Sequence, residues 1–200
     1  MKDYYLVSII GFLVGLLVLL PATNLGLKIT FTLALASVLG FTVFAPIALW
    51  ILKKLSRLWA VFDQFGKFAA VGTLNTLLDL GVLNLLMFLT GLYSGLPYVG
   101  FKATSFIVGT TNSYFWNKLW TFQNKMPVTL AEYLRFGIFT LVGALINVSV
   151  ASVIVNVIGA PTGMDPKLWA NLGALIAVFA AFLWNFLSYR NIVFKTKTPG

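Results

Sequence analysis

The stretch Phe136–Ala160, FGIFTLVGALINVSVASVIVNVIGA, contains no charged residue. A helix that crosses a bilayer needs about 20 mostly apolar residues, so this stretch predicts a membrane-spanning helix. The composition agrees, since 60% of the 200 residues are hydrophobic and only 10% are charged. A soluble domain usually carries roughly 25% charged residues. Lipid is therefore the solvent to which this sequence is adapted.

Five further stretches have a similar length with at most one charge each: Tyr4–Leu27, Ile29–Leu52, Phe68–Thr90, Pro97–Asn117 and Leu168–Tyr189. Together with the first stretch they predict an all-α membrane protein of six transmembrane helices. An even number of spans places both termini on the same side of the membrane.

That side carries most of the positive charge. Of the fourteen basic residues, the other side holds only Lys28, Lys102 and Lys167. The remaining basic residues are Lys2, Lys53, Lys54, Arg57, Lys67, Lys118, Lys125, Arg135, Arg190, Lys195 and Lys197. Lys and Arg are enriched in cytoplasmic loops, so both termini are predicted to be cytoplasmic. We expect a multi-pass protein of the cytoplasmic membrane.

The absence of two residue types excludes several chemistries. The chain has no cysteine and no histidine, which excludes disulfides, cysteine-based zinc sites and histidine catalysis. Its five acidic residues are scattered, and no Gly-rich nucleotide-binding motif is present. We therefore expect no enzyme activity, metal or cofactor. The net charge of +9 suits anionic lipid, and nucleic acid is not expected because the basic residues form no continuous patch.

Two similar motifs suggest an internal repeat. Phe65-Gly-Lys-Phe-Ala69 and Tyr133-Leu-Arg-Phe-Gly137 lie 68 residues apart, and each opens a long apolar stretch. Farther along, Lys118-Leu-Trp-Thr-Phe122 resembles Arg190-Asn-Ile-Val-Phe194 at a shift of 72. The difference of four residues is about one helical turn, so both matches keep the same helix face.

The repeat divides the chain. Residues 61–200 are predicted to form a four-helix transmembrane domain made of two parallel two-helix repeats. Residues 1–60 lack the pattern and are predicted to form an N-terminal hairpin of two spans, followed by a segment along the inner interface.

Asp79 is the sharpest polar feature of the predicted spans. It lies twelve residues after Lys67, or about 18 Å along a helix, near the middle of the membrane. An ionised Asp there costs about 2.5–3.5 kcal/mol, and such residues usually face the bundle interior or a cavity. Asn75 lies one turn earlier on the same face. Asp79 either lines a translocation path or makes a structural contact, for example with Asn147, its counterpart in the repeat.

Basic, amide and aromatic residues cluster at the predicted cytoplasmic ends of the repeats. The members are Lys67, Lys118, Arg135, Arg190, Asn112, Asn117, Asn185, Trp116, Trp120 and Trp184. Arg and Lys bind phosphate oxygens, and Trp prefers the membrane interface. The four basic residues together predict a lipid-phosphate site. Membrane topology and snorkelling alone would explain any single one of them.

The quoted motifs resemble those of the GtrA-like family, over about residues 61–195. Its members are small four-span membrane proteins of cell-surface polysaccharide synthesis. The prototype is implicated in moving a polyprenyl-phosphate-linked sugar to the outer leaflet, and a similar module anchors some dolichol-phosphate mannose synthases. Two features depart from the family pattern: the N-terminal hairpin is additional, and Tyr189-Arg190 stands where the first repeat has Asn117-Lys118.

The resemblance implies translocation, or accessory translocation, of a polyprenyl-phosphate-linked sugar. Lys67, Lys118, Arg135 and Arg190 would hold the phosphate. The polar path for the sugar would be Asn75, Asp79, Asn112, Asn117, Asn147 and Asn185. Two alternatives stay open: a membrane scaffold that binds a glycosyltransferase, and a small-solute exporter coupled through Asp79. A homo-oligomer would be one way to enclose such a path.

Overall fold

The computed structural model describes residues 2–24, 27–59, 61–92 and 94–195. In this part of the chain the secondary structure is helical and includes no strand, which confirms the predicted all-α class. The α-helices are α1 (Lys2–Leu17), α2 (Leu19–Asn24), α3 (Phe31–Leu55), α4 (Val61–Thr90), α5 (Gly95–Trp116), α6 (Leu130–Ser152) and α7 (Pro166–Ser188). Residue 60, at the predicted domain boundary, and the predicted cytoplasmic Lys197 lie outside the described residues.

Three helices end in a wider π-helical turn. These turns are Asn117–Thr121 after α5, Val153–Ile158 after α6 and Tyr189–Val193 after α7. In the first, the backbone N–H of Phe122 donates to the carbonyl oxygen of Asn117 at 2.8 Å. In the third, Phe194 N–H donates to the carbonyl oxygen of Tyr189 at 2.8 Å. Such turns are frequent at functional sites. The first and third turns coincide with the basic motifs that begin at Lys118 and Arg190.

Within the described ranges, four stretches are each long and apolar enough to cross a membrane: Phe31–Leu55, Val61–Thr90, Leu130–Ile158 and Leu172–Val193. The predicted first span is divided between α1 and α2, and α5 is less apolar because it carries Lys102 among Ser, Thr and Asn residues. The chain is thus a helical multi-pass membrane protein. The crossings by α1 and α5 stay predictions.

Large apolar side chains cover the outside of the long helices. On α3, Phe31 is 83% exposed, and on α4, Phe88 is 79% exposed. On α6, Leu145 is also largely exposed. Exposure to water would cost about 25 cal/mol per Å² of apolar surface, whereas hydrocarbon imposes no such cost. These faces are therefore suited to lipid.

Contacts divide the chain into two compact units, Met1–Gln123 and Asn124–Gly200. In the first unit, α1 and α3 pack against each other and against α4. The contact boundary thus lies near residue 123 and not near residue 60, because the N-terminal hairpin shares its packing with α4. The predicted interfacial segment is largely helical, since residues 53–55 end α3 and residues 61–65 begin α4.

Small residues allow α1 and α3 to approach closely. A Cβ at Gly11 would overlap the carbonyl oxygen of Phe41, and one at Gly15 would lie 2.8 Å from that of Ser37. Ser37 Oγ in turn donates to the Gly15 carbonyl oxygen at 2.8 Å. The side chains that form the core here are Val7, Ile10, Val14, Leu49, Val71, Leu74 and Trp120. α1 is therefore an integral part of the first unit.

The second unit is built on the packing of α6 against α7. The ring of Phe136 lies 4.2 Å from that of Tyr189, and the hydroxyls of Thr140 and Tyr189 share a hydrogen bond of 2.6 Å. A Cβ at Gly173 would lie 3.0 Å from the side chain of Ile154, so this glycine also brings helices together. The basic end of α7 is thereby fixed against the start of α6.

Candidate phosphate site and polar seam

Four charged side chains and one indole meet in the first unit, and we call Asp3, Lys53, Asp63, Lys67 and Trp120 the Asp3 cluster. The ammonium nitrogens of Lys53 and Lys67 lie 2.5 Å and 3.1 Å from Asp3 Oδ2. Trp120 Nε1–H donates to Asp3 Oδ1 at 2.9 Å. Lys67 also pairs with Asp63 Oδ2 at 2.9 Å. One carboxylate of α1 thus joins α3, α4 and the π-helical turn after α5.

The charges of this cluster support one another. Burial raises the pKa of the Asp3 carboxyl, but hydrogen bonds from Lys53, Lys67 and Trp120 outweigh burial and lower that pKa to about 2. Asp3 is therefore ionised at neutral pH.

The four predicted phosphate ligands lie in two kinds of environment. Lys67 and Lys118, in the first unit, are each 1% exposed. Arg135 and Arg190, in the second unit, are exposed. Lys67 is already paired with two carboxylates, so a phosphate that reached it would have to compete with one of them. The arginines of the second unit are accessible from its surface.

The tryptophans predicted at the interface are built into helix packing. Trp120 is only 4% exposed, and its ring packs edge-on against Trp116 at 5.7 Å between centroids. Trp184 is half-buried, and its Nε1–H donates to the carbonyl oxygen of Phe139 at 3.2 Å. Trp120 in particular does not face lipid, because its side chain is buried and its indole N–H donates to Asp3.

Asp79 is paired with two residues of α5 that the motifs did not indicate. The Lys102 ammonium lies 2.5 Å from Asp79 Oδ2, and the Ser105 hydroxyl donates to Asp79 Oδ1 at 2.6 Å. Ser105 is fully buried. Asp79 lies twelve residues before Gly91, in the turn between α4 and α5, and Lys102 lies eleven residues after it. Because two antiparallel helices pair residues at similar distances from their turn, this spacing could have predicted the pair from the sequence.

Amide groups continue the polar contact between α4 and α5. Gly109 brings the helices together, since a Cβ there would lie 3.5 Å from Asn75 Oδ1 and 3.6 Å from Asp79 Cβ. Among the described residues, Asn75 Oδ1, Asn112 Nδ2 and Asn117 Oδ1 are buried without a hydrogen-bond partner. Buried polar atoms normally have one, so these three atoms leave hydrogen-bonding capacity unused. We use the name α4–α5 seam for Asp79 and Asn75 of α4, Lys102, Ser105 and Asn112 of α5, and Asn117 at the start of the π-helical turn that follows α5.

The amides of the second unit are arranged differently. A Cβ at Gly143 of α6 would overlap the side-chain amide of Asn185 on α7, so the amide lies directly against the α6 backbone. Asn185 Oδ1 is buried without a partner among the described residues. Asn147 is half-buried, one turn beyond Gly143. Each unit therefore places an amide against a glycine of the neighbouring helix, with Asn75 and Gly109 in the first unit.

Comparison with known proteins places this arrangement in a family. Residues 67–194 match the family model described as "GtrA/DPMS, transmembrane domain". The chain is also 30% identical over 135 residues to the uncharacterized membrane protein YngA of Bacillus subtilis (strain 168). This alignment covers 64% of this chain and 78% of that protein. No solved structure matches the chain. The family match runs from Lys67 to Phe194, across both basic motifs, and the chain therefore belongs to the GtrA/DPMS transmembrane-domain family.

Proposed function

We propose that this protein moves, or helps to move, a polyprenyl-phosphate-linked sugar across the cytoplasmic membrane for the synthesis of a cell-surface glycan. The observation that carries the proposal is the α4–α5 seam. Asn75, Asn112 and Asn117 have buried amide atoms with no hydrogen-bond partner among the described residues, and many large apolar side chains of the long helices are exposed. Sugar hydroxyls need such partners where water is excluded. Membership of the family supports a lipid-linked sugar as the class of substrate.

The layout that we propose has six spans, with both termini in the cytoplasm and two parallel repeats. It is supported by the same aromatic contact at the cytoplasmic end of each repeat. The rings of Phe68 and Phe122 lie 6.3 Å apart, and those of Phe136 and Phe194 lie 5.8 Å apart. In this layout Lys102 is at the outer end of the seam and Asn117 at its inner end.

The roles within the site follow from burial and charge. Arg135 and Arg190 are exposed and would bind a phosphate at the surface of the second unit, since guanidinium groups bind phosphate oxygens in pairs. Lys67 and Lys118 would bind a phosphate within the first unit. The amides of the seam would then pair with sugar hydroxyls, while the polyprenyl tail stays in lipid. Asn147 and Asn185 are proposed to serve the same purpose in the second unit.

One observation favours a second candidate, a membrane scaffold that presents a lipid-linked substrate to a glycosyltransferase. Asp79 is held by both Lys102 and Ser105, which is the arrangement of a structural ion pair. In that case Arg135 and Arg190 would form the docking surface for the enzyme.

Leaflet exchange separates the two candidates. Purified protein in liposomes is given a fluorescent polyprenyl-phosphate sugar in the inner leaflet, and its appearance in the outer leaflet is followed by quenching. Translocation predicts exchange faster than in empty liposomes. An equal rate with and without protein would exclude translocation by the chain alone and leave the scaffold.

A further inference from the structure

The Asp3 cluster has the form of an anion site that is already occupied. Two ammonium groups and one indole N–H, from three different elements, converge on the carboxylate of Asp3. Lys67 is 1% exposed, so its charge has almost no contact with solvent. Asp63, one turn before Lys67, supplies an anion from the same helix. Asp3 is thus a second anion on Lys67, brought by a separate helix.

The residues of the Asp3 cluster come partly from the segment that matches the family and partly from the segment before it. Lys67 and Trp120 lie within residues 67–194, the part that matches the family, whereas Asp3 lies in α1, outside it. Lys53, which completes the set of donors, also comes from the N-terminal hairpin. The hairpin therefore contributes both an anion and an additional cation to a pair of donors that belong to the family domain.

The charge of the cluster allows a one-for-one exchange. Lys53 and Lys67 balance Asp3 and Asp63, so displacement of Asp3 would leave one positive charge. A phosphodiester, such as the group that joins a sugar to a polyprenyl chain, carries one negative charge and accepts hydrogen bonds from the same donors. The side chains of Asp3 and Lys53 are 23% and 28% exposed, so the site can be reached from the surface.

We propose that Lys53, Lys67 and Trp120 form a seat for the phosphodiester of a lipid-linked sugar, and that Asp3 fills this seat in the resting protein. The proposal rests on the function proposed above and names the group that one of its sites binds. α1 then acts as a tethered competitor: the headgroup enters only when Asp3 withdraws. The N-terminal hairpin thereby sets the affinity of the family domain for its substrate.

Substitution of Asp3 tests this competition. Wild-type protein, Asp3→Asn, and Asp3→Asn with Lys67→Met are placed in nanodiscs of zwitterionic lipid. Each is titrated with a fluorescent polyprenyl-phosphate hexose. We expect Asp3→Asn to bind at least about tenfold more tightly than the wild type, and Lys67→Met to abolish the gain. Asp165→Asn, which removes the same charge from the second unit, should leave the affinity unchanged.

A second titration with phosphatidylglycerol tests whether the seat prefers a lipid-linked sugar to an ordinary phospholipid. Phosphatidylglycerol carries the same phosphodiester charge without the sugar. Equal gains for both lipids would identify the seat as a general phospholipid site and overturn the assignment to a lipid-linked sugar. Equal affinity of folded wild-type and Asp3→Asn protein for the sugar lipid would overturn the competition itself.

A second measurement does not depend on the stability of Asp3→Asn. The chain has no cysteine, so Tyr5→Cys and Leu58→Cys give a unique spin-label pair on exposed positions of α1 and the segment after α3. The sugar lipid should broaden the distance distribution between the labels as the first turn of α1 moves away. An unchanged distribution at saturating lipid would contradict displacement of Asp3.

Failure of this proposal is distinguishable from failure of the proposed function. Accelerated leaflet exchange together with unchanged binding in Asp3→Asn would remove the seat and keep translocation. Tighter binding in Asp3→Asn without exchange in any variant would keep the seat and remove translocation.

Discussion

Gly143 shows how a single residue controls the packing of the second unit. A Cβ at this position would overlap the Asn185 amide, whereas one at Gly137, earlier in the same helix, would have nothing within 4 Å. We expect Gly143→Ala to destabilise the protein by about 1–3 kcal/mol through overpacking. Gly137→Ala should stabilise it by up to about 1 kcal/mol through helix propensity.

Thermal unfolding in detergent measures this difference. Adding Asn185→Ala to Gly143→Ala should recover part of the loss, because the overlapping amide is gone. Equal melting temperatures for Gly137→Ala and Gly143→Ala would show that the close contact of Gly143 with Asn185 does not exist in the protein.

Asp3 makes stability depend on pH in a defined direction. Its pKa is lowered from 3.8 to about 2 in the folded protein, so the ionised carboxylate favours folding. The contribution is fully present above pH 3.8 and is lost as pH falls through about 2. We expect the melting temperature of the wild type to exceed that of Asp3→Asn at neutral pH, and the gap to shrink between about pH 4 and pH 2. A gap that is constant over this range would contradict the ion pairs.

Single residues also show where sequence reasoning stops. Lys67 and Trp120 were found from the motif, but their contacts with Asp3 were not, because Asp3 lies 64 positions before Lys67 and 117 positions before Trp120. Some of the signal was available: Asp3 and Lys53 are equally far from Lys28, which lies between α2 and α3, so an antiparallel hairpin places them together. Unpaired buried atoms such as Asn75 Oδ1 depend on side-chain packing, which no spacing rule describes.

At the scale of helices, apolar length predicted most of the elements well. α3, α4, α6 and α7 appear where uncharged or nearly uncharged runs occur. The π-helical turns at Asn117–Thr121 and Tyr189–Val193 were not predicted, because a one-residue widening of a helix leaves little trace in hydrophobic periodicity. Both turns coincide with the basic motifs, so the motif marked the position without revealing the local geometry.

The crossing of α5 is the element-scale prediction with the clearest test. In a chain without cysteine, Leu96→Cys in the first turn of α5 and Met126→Cys in the loop before α6 give exposed labelling sites. If α5 spans the membrane, an impermeant maleimide should label Met126→Cys only from the cytoplasmic side and Leu96→Cys only from outside. Labelling of both from one side would contradict the six-span layout.

At the scale of the whole molecule, the sequence and the contacts divide the chain differently. The repeat suggested a boundary near residue 60, because repetition reveals the part of the chain that was copied. The contacts suggest one near residue 123, because α1 and α3 pack on α4. The family match from residue 67 to 194 extends over both contact units. An element added to a family domain can therefore share the core of that domain.

In the proposed function, the amides of the α4–α5 seam provide the path for the sugar. Asn75 and Asn84 lie on the same helix, but Asn84 Nδ2 donates to the Leu80 carbonyl of its own helix at 2.7 Å. Asn75 Oδ1, in contrast, is buried and has no hydrogen-bond partner in the part of the chain that the structure describes. The most direct test is the rate of leaflet exchange of a polyprenyl-phosphate sugar in liposomes that contain Asn75→Leu or Asn84→Leu protein. We predict that Asn75→Leu slows exchange at least about tenfold while Asn84→Leu stays close to the wild type. Equal rates for the two variants would contradict the path through the seam.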